Sequence, residues 1–212
     1  MKKRTDRLAI VSEINSAAKL YRDNLVGKSF MYVFDSRFIE VAYRAENFKH
    51  LTGVDSRLSA KNFYQLAKSG KLAASQICFS NRHPFNLCKK KIRHISQLAE
   101  LTNSECFMLE EISTQSQTFK FGSTNLKYSI LLNQRNGSYI AESLRDEDCF
   151  PKSRNVYSVT HIFSRQNDEK EYRNIIYDDN SYKNAGLPKN AMGLLASSLL
   201  KSLSSTSQTD IY

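Results

Sequence analysis

ENFKHLTGVDSRLSAKNFYQLAKSGK, residues 46–71, is the stretch from which the fold is best predicted. Asn47 can begin a short helix that ends at Gly53. Ser59 can cap a second helix, which stops at Gly70. The stretch therefore predicts two helices with a short polar connection between them.

The same stretch places a histidine and a threonine, His50 and Thr52, next to the first glycine. The basic residues around them are Lys49, Arg57, Lys61, Lys68 and Lys71. An imidazole, a hydroxyl and nearby cations are the groups that metal-free chemistry on a phosphodiester requires. They are also ordinary polar residues near a helix C-terminus, so both interpretations stay open.

Working outward, helical spacing of apolar residues predicts helices over 5–23 and, after a turn that ends in Pro84, over 85–101. Alternation and turn residues predict a group of strands: 29–34, 38–43, 106–112, 126–132, 138–144 and 156–165. Since helices come before most of the strands, we predict an α+β fold with N-terminal helices packed on a C-terminal antiparallel sheet.

Three parts are predicted along the chain. An N-terminal helix occupies 1–27, one domain occupies 28–177, and a serine-rich tail occupies 178–212. Within the tail, 190–205 is predicted as a short amphipathic helix that docks on the domain or on a partner. A segment at 171–177 fits either a helix or a strand.

Composition narrows the classes of partner. The 212 residues are 41% hydrophobic, which is typical of a globular protein, and carry a formal net charge of +10, which favours polyanions. No apolar run approaches the ~18–20 residues that span a membrane, and no secretory signal follows Met1, so we expect a cytoplasmic protein without a membrane partner. The four scattered cysteines form no CxxC pair, and phosphate-binding and HExxH motifs are missing. We therefore expect free thiols and neither metal nor cofactor.

A series of short motifs runs through the chain in order: HLTGV (50–54), LSAKNFY (58–64), GKL (70–72), HP (83–84), a lysine run (89–91), ESLR (142–145), KS (152–153) and HIFS (161–164). The series resembles the fourth phage-type family of the barnase–EndoU–colicin–RelE nuclease superfamily over residues 28 to 177. The resemblance implies helices followed by a four-stranded antiparallel sheet whose face carries the active site. It also implies metal-independent cleavage of RNA.

The resemblance puts His50 and Thr52 in the site, the first as general base or acid and the second as a phosphate or ribose contact. Arg145 can bind phosphate, or it can pair with the acidic residues that follow it at 146–148. Ser153 lies in the loop before the last strand, where it can reach the same face or belong to an ordinary solvated loop. We therefore predict four catalytic residues: His50, Thr52, Arg145 and Ser153.

Two more histidines are candidates for a second acid or base. His83 precedes a proline, which suits turn packing as well. His161 alternates with Val159 and Phe163, which suits the core as well. The remaining histidine, His94, is expected at the surface.

Seven cations are predicted to bind the RNA backbone: Lys49, Lys61, Lys89, Lys90, Lys91, Arg93 and Lys152. Neighbouring residues of a helix point ~100° apart, so the run at 89–93 cannot share one face, and a solvated face is the alternative. Two aromatic residues, Tyr64 and Phe85, are either base-stacking platforms or core.

We therefore predict an endoribonuclease-like domain of a mobile genetic element, a toxin or counter-defence factor that acts on structured RNA without a metal. An antitoxin or a host defence ribonucleoprotein would be a further partner. The alternative is a non-catalytic RNA- or protein-binding inhibitor, for example of the anti-CRISPR type, built on a degenerate nuclease fold. The positive charge fits both.

Overall fold

The computed structural model describes residues 2–115, 117–179 and 187–206. Its helices are α1 (Lys2–Asn24), α2 (Asn47–Thr52), α3 (Ala60–Lys68), α4 (Phe85–Gln97), α5 (Glu100–Asn103), α6 (Lys189–Met192) and α7 (Ser197–Thr206). Its strands are β1 (Lys28–Phe34), β2 (Arg37–Ala42), β3 (Phe107–Ser113), β4 (Thr118–Thr124), β5 (Ser129–Arg135), β6 (Ser138–Arg145), β7 (Ser153–Ser158), β8 (His161–Gln166) and β9 (Asn174–Asp178). Short 3-10 turns cover Ala74–Gln76 and Phe150–Lys152.

All described strands join one sheet in the order β7-β3-β4-β5-β6-β2-β1-β8-β9. The α+β class that we predicted is confirmed, and the sheet is larger than the four strands that the resemblance implied. It is also mixed, because β2 and β6 run parallel, with Val41 opposite Tyr139 and Ala42 opposite Ile140. The other pairings between strands are antiparallel.

One extended stretch, residues 153–166, connects the two halves of the sheet. Its first part, β7, pairs with β3, and its second part, β8, pairs with β1. At the junction the Val159 N–H donates to the Cys106 carbonyl at 3.1 Å, and the Thr160 N–H donates to the Val33 carbonyl at 2.9 Å. The sheet therefore curls until β1 and β3 border the same stretch of chain.

The main core lies between the helices and one face of this sheet. Ile10, Ile14 and Tyr21 of α1 are fully buried and share a core cluster with residues of α2, α3, α4 and the strands. The Tyr21 hydroxyl donates to the Arg44 carbonyl at 3.1 Å. Burying each large apolar side chain contributes about 1.5–3 kcal/mol, so α1 is an integral part of the core. Tyr64, for which base stacking and the core were the alternatives, is also buried in this cluster.

Helices α6 and α7 cover the opposite face of the sheet. Leu195 and Leu199 pack with Met31, Phe163 and Tyr172 in a second core cluster. The Tyr172 N–H donates to the Leu194 carbonyl at 2.8 Å. The sequence left open whether the segment at 190–205 docks on its own domain or on a partner, and the structure shows it packed on its own domain. Within the described residues, no helix combines the length and the hydrophobicity that a membrane crossing requires.

Candidate active site

The C-terminus of α2 is a fixed turn. Gly53 adopts a left-handed conformation with φ of 69°, and its N–H donates to the His50 carbonyl at 3.1 Å. The Thr52 hydroxyl donates to the Lys49 carbonyl at 2.6 Å and accepts from the Val54 N–H at 3.1 Å. Thr52 has no exposed surface. It therefore holds the turn, a position that does not fit the substrate contact predicted for it.

The loop after this turn is held by a cation. The Lys49 ammonium donates to the carbonyl oxygens of Ser56 at 2.8 Å and Leu58 at 2.7 Å. Two such charge-assisted bonds fix the connection between α2 and α3. Lys49 therefore holds this loop, and its ammonium is occupied by backbone carbonyls where a contact with RNA was predicted.

The Gly53 turn lies against His83 and Lys91. A β-carbon on residue 53 would stand 3.5 Å from Cδ2 of His83 and 3.2 Å from Cδ of Lys91. The Cys88 sulfur lies 3.4 Å from the Gly53 carbonyl oxygen and 3.5 Å from that of His83. The end of α2, the turn before α4 and the first half of α4 thus meet in one place.

Lys91 is the most unusual residue of this pocket. It is only 8% exposed, and among the described residues it forms neither an ion pair nor a hydrogen bond. Burial lowers the pKa of its ammonium, and the nearby guanidiniums of Arg145 and Arg82 lower it further. A buried cation without a partner is costly for a folded protein. Its position therefore makes Lys91 a candidate anion-binding residue.

Two imidazoles lie in this part of the structure. Burial lowers the pKa of the half-buried His83, and the charges of Lys91, Arg82 and His50 act in the same direction, while Asp55 opposes them. His83 is therefore neutral at pH 7, the form in which an imidazole accepts a proton. His50 is exposed on the last turn of α2. Both histidines predicted as acid–base candidates in this part of the chain thus lie within electrostatic reach of each other.

The parallel pairing of β2 and β6 explains how Arg145 reaches this pocket. Parallel strands leave the sheet in the same direction. The chain after β2 forms α2, which carries His50, and β6 ends at Arg145. Two residues almost 100 positions apart are therefore delivered to the same end of the sheet.

The acidic loop after β6 turns away from Arg145. The Asp146 carboxylate accepts from Lys90 at 2.6 Å and lies 2.7 Å from Nε2 of His94. Glu147 pairs with Lys152 at 2.5 Å, and Asp148 accepts from the Phe150 N–H at 2.9 Å. The Nε atom of Arg145 is buried without a hydrogen-bond partner. Of the two alternatives for Arg145, the described contacts therefore fit a guanidinium that is free to bind phosphate.

Two predicted site residues lie elsewhere. The Ser153 hydroxyl donates to the Cys149 carbonyl at 2.8 Å, and Ser153 pairs with Ile112 on β7, which β3, β4 and β5 separate from β6. His161 is buried on β8, with Nε2 3.4 Å from the Asp178 carboxylate and its ring stacked on Phe163. Neither residue contacts the pocket, so neither position fits the catalytic role predicted for it.

The basic run of α4 is divided among three neighbours. Lys89 lies 3.8 Å from Glu13 of α1, Lys90 pairs with Asp146, and Lys91 points into the pocket. Arg93 is exposed beside a groove of about 460 Å³ between α1 and α4. The surface position expected for His94 is wrong: its side chain is only 13% exposed, because its ring stacks on Tyr128.

The remaining two predicted RNA contacts differ in setting. Lys152 is engaged by Glu147 within its own loop, as described above. Lys61 is exposed on the first turn of α3, and in the described part of the chain it forms no ion pair. Phe85 packs edge-on against Phe79 at 5.3 Å, which fits the core alternative.

The sequence predicted Lys91 as one of several lysines that contact the RNA backbone, and its buried position was missed. The helical spacing could have indicated burial, since Leu87, Cys88 and Ile95 lie three or four residues away on the same side of α4. Arg82 was missed because a turn arginine carries no periodic signal. Among the described residues, no group of three histidine, cysteine or acidic side chains is placed to hold a metal ion. Cys88, Cys106 and Cys149 are free and buried, as expected, and Cys78 is free and exposed.

A comparison with protein-family profiles matches residues 13–181, most of the chain, to phage-Barnase-EndoU-ColicinE5/D-RelE like nuclease4. The chain belongs to this nuclease4 family. The match confirms the resemblance that the motifs predicted, and it makes the domain nuclease-like, with nucleic acid as the implied class of substrate. The range that matches the nuclease4 family contains the whole pocket from His50 to Arg145. No curated protein and no solved structure matches the chain.

Proposed function

We propose that this pocket cleaves RNA without a metal ion, using the 2′-hydroxyl next to the scissile phosphate as the nucleophile. The observation that carries the proposal is the largely buried Lys91, whose ammonium has no ion-pair or hydrogen-bond partner among the described residues, next to His83 and within electrostatic reach of Arg145. Membership of a nuclease family supports a phosphodiester as the anion that these cations bind.

The two histidines supply the acid and the base. Neutral His83 removes the proton from the 2′-hydroxyl while the 2′-oxygen forms its bond to phosphorus. Protonated His50 gives a proton to the 5′-oxygen as the bond between phosphorus and that oxygen breaks. The products are a 2′,3′-cyclic phosphate and a 5′-hydroxyl, and the two imidazoles end with their protonation states exchanged.

The cations stabilise the charge that develops on the phosphate. Lys91, Arg82 and Arg145 come from three different segments, and both guanidiniums lie within electrostatic reach of Lys91, while the carboxylates of Asp146 and Glu147 pair with other cations. Fixed donors aimed at a developing charge are often the largest contribution to catalysis, and losing one typically costs 10²–10³ in rate. Three positive groups also repel a divalent metal ion while they attract a phosphate.

The surface around the pocket suits a longer RNA strand. Lys89 and Arg93 lie on the outer side of α4, within two residues of Lys91 along the helix. Because α4 is narrow, a strand that enters the pocket can cross this helix within one or two nucleotides.

We place the domain in a mobile element, as a toxin or counter-defence factor acting on structured RNA.

A chimeric substrate tests the proposal. A DNA oligonucleotide with one internal ribonucleotide is incubated with the purified protein in EDTA, beside an all-DNA oligonucleotide of the same sequence. We expect one cut, after the ribonucleotide, with a 2′,3′-cyclic phosphate end, and no cut in the control. A salt-sensitive gel shift without products would instead identify the non-catalytic binder, and cleavage of the all-DNA strand would remove the 2′-hydroxyl mechanism.

A further inference from the structure

Lys91 and Arg145 belong to different elements and repel each other. Lys91 lies on α4, Arg145 ends β6, and the guanidinium lowers the pKa of the ammonium. This repulsion favours separation of α4 from the end of β6. A contact between these two elements is therefore needed to keep both cations at the pocket.

Asp146 provides that contact. It directly follows Arg145, and its carboxylate binds Lys90 at 2.6 Å through one oxygen and His94 at 2.7 Å through the other. Lys90 and His94 are one helical turn apart, on either side of Lys91 in the sequence. Both oxygens of Asp146 thus hold the segment of α4 that carries Lys91.

The connection continues into β5. The His94 ring stacks on Tyr128 with 4.6 Å between ring centroids, and the Tyr128 hydroxyl donates to the Gln97 carbonyl of α4 at 2.8 Å. The Ser129 hydroxyl donates to the Glu147 carbonyl at 2.7 Å. The loop after β6, the start of β5 and the second half of α4 therefore form one hydrogen-bonded unit.

Of the three acids in this loop, Asp146 alone crosses to α4. Glu147 binds Lys152 and Asp148 caps the Phe150 N–H, so both act within their own loop. We propose that Asp146 is a positioning residue, which holds Arg145 against Lys91 by binding Lys90 and His94. The inference rests on the proposed function of the pocket.

A double-mutant cycle tests the inference. Asp146→Asn is made alone and together with Arg145→Ala, and kcat and KM are measured on the chimeric oligonucleotide, with thermal melting to follow folding. We expect Asp146→Asn to lower kcat about 10- to 100-fold, because small errors of placement have effects of this size. In the Arg145→Ala background the same change should alter kcat less than about twofold, since Asp146 acts through Arg145.

Three companion variants sharpen the cycle. Asp146→Glu keeps the carboxylate and should recover part of the lost kcat. Glu147→Gln removes the same charge one residue away and should leave kcat within about twofold of wild type. If Asp146→Asn does not fold, Lys90→Met replaces it in the cycle, because it removes only one of the two contacts.

Losses that simply add in the double variant, or a folded Asp146→Asn with wild-type kcat, would overturn the positioning role. If the wild-type protein cleaves nothing, the proposed function fails, and the same cycle is measured as affinity for the all-DNA oligonucleotide. Coupling of residues 145 and 146 in that binding supports the inference, and additivity overturns it.

Discussion

A β-carbon at Gly53 would stand 3.2 Å from Cδ and 3.5 Å from Nζ of Lys91. Contacts as close as 3.2 Å require the neighbour to move, and Lys91 is enclosed. Glycine at this position thus serves both the left-handed turn after α2 and the path of the lysine side chain.

Gly53→Ala should reduce both stability and cleavage, and Gly70→Ala is its matched control. The two glycines have φ of 69° and 71°, but a β-carbon at Gly70 meets nothing within 4 Å. Each variant should lose about 1 kcal/mol of unfolding free energy, because both place alanine in a left-handed conformation. Only Gly53→Ala should also lower kcat/KM, by about tenfold or more. Equal activity in the two variants would contradict the contact with Lys91.

Lys91→Met should abolish most cleavage without destabilising the protein. Methionine fills similar space, and removal of a charge that burial of its side chain disfavours should leave the unfolding free energy unchanged or raise it by about 1 kcal/mol. The loss of a cation at the phosphate should lower kcat/KM about 10²- to 10³-fold. Urea denaturation and initial rates measure the two effects. A variant that is less stable and fully active would show that Lys91 is a structural residue.

The pH dependence of cleavage should report on His83. Because its pKa lies below 6.5, the acidic limb of the profile should rise with pH through an inflection below 6.5, where the imidazole loses its proton. Residual cleavage by Lys91→Met should show this inflection at a higher pH, since the ammonium no longer disfavours the imidazolium. Profiles of kcat/KM between pH 4.5 and 8 measure the position of this inflection. If it is the same in Lys91→Met as in the wild type, Lys91 does not influence the pKa of His83.

His161 should affect stability and leave cleavage alone. Burial lowers its pKa, so between that value and 6.5 the unfolded chain binds more protons than the folded one. Stability is therefore present above pH 6.5 and is lost as the pH falls through this window. His161→Phe keeps the ring on Phe163 and should show a weaker loss of melting temperature on acidification, with kcat/KM within about twofold of wild type. A large loss of cleavage would return His161 to the mechanism.

Lys89 and Arg93 should contribute to the salt dependence of binding. With both changed to glutamine, the slope of log affinity against log salt for a single-stranded oligonucleotide should decrease by about 0.7 per lost phosphate contact. Lys170→Gln, at the exposed turn after β8, changes the same charge away from α4 and should keep the wild-type slope. Filter binding of a 2′-deoxy oligonucleotide from 50 to 300 mM salt measures the slopes of both variants. If the slope of the double variant equals that of the wild type, Lys89 and Arg93 face solvent and do not contact the nucleic acid.

Local patterns predicted the elements that support the pocket. The end of α2 at Gly53, the start of α4 after Pro84 and the hairpin at Asn136-Gly137 follow from turn chemistry and appear in the structure. β4 was missed because its sequence, TFKFGST, contains a glycine and several hydroxyl residues and lacks a run of branched apolar side chains.

Long-range pairing could not be predicted. Nothing in the local sequence indicates that β2 lies beside β6, and this parallel pair is what brings Arg145 to α2. The same limit applies to Lys91, which looks like part of a solvated lysine run until its neighbours from α2 and β6 are known. Residues whose roles depend on two distant segments, such as Asp146, are for this reason the hardest to predict from sequence.

The stretch at 153–166 that borders both β1 and β3 also sets an order of events during synthesis. The pocket needs segments from residue 50 to residue 145, and the sheet that supports them closes only when the later stretch has left the ribosome. A half-made chain therefore lacks the assembled pocket. Ribosomal RNA, the nearest polyanion to a chain still being translated, meets the finished pocket only after most of the protein has been made.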